Sequence, residues 1–175
     1  MLLQLHVVNA ADKRGLMDIY AESNLENTDY FYPELTDKEA AVRLVERDYL
    51  NYLETEFLAA DGNLLLVWEK QGIWTSALRL HCVRSRLYYI EALETRPDCR
   101  CRGCGSALLR GTVELLKKSG PFRLCDNVDK QNEASLATHK ACGFAVVSEN
   151  GYDYLREETD GGSYGMEFAY NPACG

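Results

Sequence analysis

Arg100-Cys101-Arg102-Gly103-Cys104-Gly105-Ser106 is the stretch on which the reading of this chain turns. It separates a strand-like run, Tyr89-Ile90-Glu91-Ala92-Leu93-Glu94-Thr95, from a segment whose Leu108, Leu109, Val113 and Leu116 recur on one helical face. Glycines at 103 and 105 let the backbone turn tightly and approach a ligand with no Cβ in the way. The free N–H groups that open a helix, at the positive end of its dipole, make an anion site there, and Arg100 and Arg102 add charge suited to a pyrophosphate. No Gly-Lys-Ser/Thr follows, so this is not a Walker loop, and the three glycines of a dinucleotide fingerprint are missing.

Working outward, residues 2–8 alternate as a strand, and a helix is predicted from about Asp12 with Leu16, Ile19 and Tyr20 on one face. Asn27-Thr28-Asp29-Tyr30-Phe31-Tyr32-Pro33 reads as a polar and aromatic connection. Thr36-x-x-Glu39 has the form of a capping box before a long helix carrying Val42, Val45, Tyr49, Leu53 and Phe57, which Asp61-Gly62-Asn63 ends. Strands at about 64–69, 73–83 and 88–95 are joined by short turns and predict an antiparallel meander. After the loop come a helix at 105–118, a strand at 122–128, a helix at 132–142 closed by Gly143, and strands at 144–149 and 164–170. The predicted class is α/β, with a mixed, largely antiparallel central sheet of about seven strands flanked by about four helices. Residues 1–175 are expected to form one domain.

With 46% hydrophobic and 26% charged residues the chain has the composition of an ordinary globular protein. No apolar run is long enough to span a bilayer, and the polar-broken opening Met1 to Val8 lacks the features of a signal peptide, so no membrane partner and a cytoplasmic location are expected. Nineteen basic against twenty-seven acidic residues give a net charge of −8, the wrong sign for a nucleic-acid surface and compatible with a cationic amine substrate. Seven cysteines suggest reduced thiols rather than a disulfide framework. Cys99, Cys101 and Cys104 lack the second cysteine pair or histidine doublet that a zinc site uses, so no metal is expected; their place beside a helix start makes them candidates for oxidation.

R-x-x-G-x-G between a strand and a helix resembles the acyl-CoA pyrophosphate loop of the GNAT superfamily of N-acetyltransferases. Asn132, Ser135, His139 and Gly143-Phe144 are similar to that family's second block, N-x-x-A-x-x-x-Y-x-x-x-G-F, with Ser135 in place of the small apolar residue and His139 in place of the tyrosine. The resemblance covers nearly the whole chain in element order and is silent on the acceptor. It implies acetyl-CoA as acyl donor, held by the backbone of Leu93, Glu94 and Thr95, by Arg100, Cys101, Arg102, Gly103, Cys104, Gly105 and Ser106, and by Asn132 and Ser135.

It further implies a strand carboxylate as base. Strict alternation puts Tyr89, Glu91, Leu93 and Thr95 on one face and Ile90, Ala92 and Glu94 on the other, so one glutamate alone can face the cleft, and Glu91 is favoured. His139 stands where the family's tyrosine returns a proton to the CoA sulfur, with Tyr152 and Tyr154 as reserves. Asn132, Ser135 and His139 share a helix face directed at the cofactor, and Ala134, Ala137 and Ala141 share the face that packs on the sheet. Asp29, Tyr30 and Tyr32 would line the acceptor site for a small-molecule or peptide-like primary amine, through cation–π and ion-pair contacts. A homodimer is a further expectation of the fold. The alternatives are a non-catalytic acyl-CoA-binding or sensor module, and an acyltransferase of the same fold using another acyl-CoA or an alcohol acceptor. A nucleotide phosphotransferase is disfavoured by the missing Walker lysine.

Overall fold

The apolar residues of the meander alternate, Leu64, Leu66 and Trp68 against Leu65 and Val67, and each set has its own cluster to enter. In the computed structural model, which describes residues 1–172, the elements are β1 (Leu2–Leu5), α1 (Ala10–Ile19), α2 (Ala21–Glu26), α3 (Thr28–Phe31) and α4 (Lys38–Tyr52), which runs into a π-helical turn, Leu53–Phe57. Then follow β2 (Leu64–Lys70), β3 (Ile73–Arg84), β4 (Leu87–Thr95), a short 3₁₀ turn at Pro97–Cys99, α5 (Cys104–Lys117), β5 (Phe122–Asp129) and α6 (Glu133–Ala141). The chain continues through β6 (Ala145–Ser148), β7 (Gly151–Asp153), β8 (Glu158–Asp160) and β9 (Ser163–Tyr170). Seven strands form one sheet in the order β1-β2-β3-β4-β5-β9-β6, and β7 and β8 form a separate ribbon. Among the described residues only β4 and β5 pair in parallel; the other pairs in the sheet are antiparallel. This is the mixed, mostly antiparallel α/β architecture that the spacing predicts.

Both faces of the sheet are covered. On one, Leu108, Leu109, Val113 and Leu116 of α5 pack against Leu66, Leu78, Leu80, Ile90 and Leu124. On the other, Leu16, Ile19, Tyr20, Leu53 and Phe57 close over Leu65, Val67 and Ala77. Full burial of such side chains contributes about 1.5–3 kcal/mol each before ordering costs. The π-helical turn adds a residue to the last turn of the long helix, so Leu53 and Phe57 both reach this core.

Several local expectations are corrected. The connection 27–33 contains a helical turn, α3, because Thr28, buried, donates its hydroxyl to Leu25 O at 2.7 Å. The cap of α4 is Asp37 rather than Thr36: its carboxylate accepts from Ala40 N at 3.0 Å. The stretch between the last two predicted strands carries the β7–β8 ribbon. In α6 the faces are exchanged. Ala134, Ala137 and Ala141 are exposed, while His139 is buried and Leu136 packs against the core.

Two irregularities of β4 shape the molecule around the loop. Its parallel ladder with β5 stops at Tyr89↔Cys125, so Ile90 to Thr95 and Asp126 to Asp129 part and leave a wedge-shaped opening. Against β3 the register shifts between Ala77 and Arg79, and Ala92 adopts φ +50°, the signature of a bulge in β4.

Candidate active site

The wedge between β4 and β5 opens into a groove of about 750 Å³. Its walls are the end of β4 (Leu93, Glu94, Thr95), the 100–106 loop and the start of α5, α2 through Glu22 and Ser23, and the first turns of α6. Gly103 is the residue that enters α5, at φ +76°, where a side chain would be strained, and no side chain caps the helix. The first amides of α5 therefore lie at the groove with no capping side chain among the described residues, which is the arrangement that binds an anionic oxygen. Arg100 stands at the same wall, with Nη2 2.5 Å from Glu22 and Nε 3.3 Å from Thr95 O.

Every residue expected to hold the cofactor lines this groove except Arg102. Arg102 instead lines a separate cavity of about 470 Å³ with Trp68 and Lys70, because the turn at Cys101, φ +57°, carries the chain past the groove. Asn132 serves the groove and its own helix together, since its side chain accepts from Ser135 N at 3.0 Å as the cap of α6. Cys99, Cys101 and Cys104 also line the groove, and burial together with Asp98 pushes the Cys99 thiol up rather than down. Among the described residues Cys82, Cys99, Cys101, Cys104, Cys125 and Cys142 carry free thiols; Cys174 lies outside them. No group of three or more His, Cys, Asp or Glu among the described residues is placed to hold a metal.

A second cavity, of about 400 Å³, lies on the other side of β4, under α2, α3 and α4. Tyr20, Phe31, Tyr32, Tyr49 and Tyr52 make its aromatic walls, and Arg79, Asp48 and Glu94 are its charged groups. Of the expected acceptor residues only Tyr32 lines it, with its hydroxyl bonded to Asp48. Asp29 and Tyr30 do not: the Asp29 side chain is 78% exposed and paired with Lys38, and Tyr30 is 80% exposed. The α3 turn rotates both away from the cavity. Tyr49 was readable in the sequence only as part of the apolar stripe on α4, Tyr52 lay outside that stripe, and Arg79 lies within a strand whose neighbours are apolar.

The bulge decides the glutamates. Glu91 sits opposite Arg79 and Glu94 opposite Ala77, and residues 77 and 79 share a face of β3, so both glutamates point to the same side. Glu91 is committed there. Its Oε2 accepts from Arg79 Nε and from His81 Nε2, each at 2.8 Å. Burial would raise its carboxyl, but those two bonds prevail and hold it down at about 2. It lines neither the groove nor the aromatic cavity. Glu94 lines both, and burial pushes its carboxyl above the ordinary value despite the nearby Ser23 hydroxyl and Arg100.

His139 is likewise not where a proton donor would stand. It is 1% exposed, with Nε2 2.8 Å from Asp126 Oδ2 and Nδ1 2.8 Å from Ser135 O. Both ring nitrogens are occupied inside the protein, and the residue does not line the groove. The Ser135 hydroxyl is 3.4 Å from Nδ1, but with Nδ1–H directed at a carbonyl the trio is not a nucleophilic triad. Tyr152 and Tyr154 lie against each other and also stand outside the groove.

The model of the Acetyltransferase (GNAT) family matches residues 19–144, a span from the end of α1 through the loop to Phe144. The chain belongs to the GNAT family of acetyltransferases. Solved structures over the GNAT fold agree. One is the PaiA N-acetyltransferase of Thermoplasma acidophilum in complex with coenzyme A, at TM-score 0.62 and 18% identity over 97% of this chain and 99% of that one. Another is the ribosomal-protein-S18-alanine N-acetyltransferase of Escherichia coli, at TM-score 0.60 and 19% identity over 99% and 95%. An aminoglycoside 6'-N-acetyltransferase complexed with coenzyme A matches at TM-score 0.63 and 10% identity over 100% and 99%. At these identities the likeness is one of fold. No curated protein sequence matches the chain. Among the described residues of this GNAT acetyltransferase no helix is long and apolar enough to cross a membrane.

Proposed function

We propose that the protein transfers the acetyl group of acetyl-CoA to a primary amine by direct attack on the thioester, with the cofactor in the groove and the acceptor in the aromatic cavity. The observation that carries this reading is Glu94, among the described residues the one carboxylate common to both spaces. The residues present suit the cofactor: free amides at the start of α5 and Arg100 for the pyrophosphate, and the unpaired edge of Leu93 to Thr95 for the amide-bearing arm. A backbone N–H of that edge would polarise the thioester carbonyl as its oxygen gains charge.

An alkylammonium has a pKa near ~10.4, so a base must take one proton before attack. Glu94 takes it. The N–C bond then forms, the C–S bond breaks, and a second proton from nitrogen ends on the departing thiolate. Glu91, fixed as a carboxylate by Arg79 and His81, holds Arg79 in place instead of moving protons. His139 joins α6 to β5.

The test is calorimetric titration with acetyl-CoA, CoA, ATP and NAD, on the wild type and on Gly103→Trp. The wild type is expected to bind the two CoA species alone. The variant, which sets an indole on the loop at a φ of +76° that strains any side chain, is expected to bind neither. Folded wild-type protein that binds no CoA species would overturn the assignment. Binding without transfer to any amine would leave an acyl-CoA sensor.

A further inference from the structure

The aromatic cavity contains more than an amine needs. An amine with an apolar body requires Glu94 and aromatic walls. Arg79, buried on β3, is an additional cation at the floor of the cavity. Its guanidinium carbon lies 5.1 Å from the Tyr49 ring centroid and 5.5 Å from that of Tyr52, so the planar group is clamped in one orientation. Glu91 bonds it through Nε, and among the described residues no carboxylate is bonded to Nη1 or Nη2. The Tyr49 hydroxyl beside it is buried and makes no hydrogen bond of ordinary geometry, the Tyr20 hydroxyl and Arg79 itself being the polar groups that face it. A rigid guanidinium edge and an unsatisfied hydroxyl at one end of a cavity are what a ligand's carboxylate would complete.

We infer that the acceptor is a free amino acid with an apolar or aromatic side chain. This rests on the proposed amine acetyltransfer. The ammonium lies at Glu94, the carboxylate on the Nη edge of Arg79 with Tyr49, and the side chain among Tyr20, Phe31, Tyr32 and Tyr52. The charge balance favours a monoanion. Glu91 already neutralises much of Arg79, and Asp48 and Glu94 stand on the same cavity, so a dianionic phosphate would meet net repulsion. A cavity of about 400 Å³ suits one amino acid, and capping the carboxylate as an amide removes the charge that Arg79 reads.

Matched acceptors test it. Transfer from acetyl-CoA is followed by mass spectrometry of the N-acetyl product for phenylalanine, phenylalaninamide and phenethylamine, and for leucine, leucinamide and isoamylamine. The free amino acid of each series is expected to exceed its amide and its decarboxylated amine by about tenfold or more in kcat/KM, the size of a charge-assisted contact. Arg79→Lys and Tyr49→Phe are expected to lower that ratio toward one, the amino-acid rate falling further than the rates of the amide and the amine. Tyr49→Phe removes a hydroxyl that makes no well-formed hydrogen bond in the fold, so it keeps the test open if Arg79→Lys does not fold. Equal or better use of the decarboxylated amines would overturn the inference and leave amine acetylation standing. Turnover of neither set by protein that binds acetyl-CoA would overturn both. A ratio unmoved in both variants would overturn the assignment to Arg79.

Discussion

At the scale of the residue, two glutamates three positions apart stand in different surroundings, Glu91 bonded to Arg79 and His81 and Glu94 lining both cavities. Glu94→Gln is expected to lower kcat by about 10²–10⁴-fold while acetyl-CoA still binds, as removal of a general base does, and calorimetry beside steady-state rates would check it. Because burial raises the Glu94 carboxyl, the wild-type rate is expected to fall on the acid side within a window above the usual carboxylate range. A rate profile that stays flat on the acid side down to pH 4 would remove Glu94 as the base. Glu91→Gln, in contrast, strips Arg79 of its ion pair and is expected to cost about 1.5–3 kcal/mol of stability, read from urea unfolding. Cys101, exposed on the groove wall, is expected to alkylate with iodoacetamide and to be protected by acetyl-CoA. Peptide mapping would show it, and unchanged labelling would put Cys101 outside the cofactor's footprint.

At the scale of the element, the buried pair Asp126–His139 ties α6 to β5 at the point where β5 leaves β4. Burial alone would lower the His139 pKa, but the hydrogen bond and charge of Asp126 outweigh it and raise it. A folded pKa above the unfolded value means that the stabilisation is complete below about 6.5, where the unfolded imidazole is also charged. It is lost as pH rises through the folded value. The stability gap between wild type and His139→Gln is therefore expected to be largest in mild acid and to narrow on the alkaline side, as urea unfolding at several pH values would show. A gap that widened with pH would contradict a charged His139. The residues of α6 were legible as a pattern, but which face turned inward was not. Three alanines can pack on a sheet, yet a histidine with a buried carboxylate waiting for it takes the inner position. The bulge at Ala92 was equally hidden, since alanine carries no local signal for φ +50°.

At the scale of the whole molecule, one ligand should report on both arms of the wedge. The groove is built from β4, α2, α5 and α6, elements brought together only in the folded chain. Acetyl-CoA at 100 times its Kd is expected to add about 2.7 kcal/mol of stability. For a domain of this size that raises Tm by about 5–11 °C. Differential scanning fluorimetry is the measurement, with ATP and NAD expected to leave Tm unchanged and Gly103→Trp to abolish the shift. A shift that survived in Gly103→Trp would place the cofactor somewhere other than the loop.

The amino-acid sequence alone determined the order of the seven sheet strands and the main helices, and the anion loop, because both are written in local terms: a period of two or of 3.6, and glycines that open a helix just after two arginines. These features depend on neighbours along the chain. The tertiary structure decided which carboxylate faces both cavities, that His139 is enclosed, that Arg102 leaves the groove, and that Tyr49, Tyr52 and Arg79 meet at one cavity. Each of those depends on a one-residue shift of register or on a partner far along the chain. A single inserted residue in β4 reverses every later side chain, and only the pairing with β3 shows that it is there.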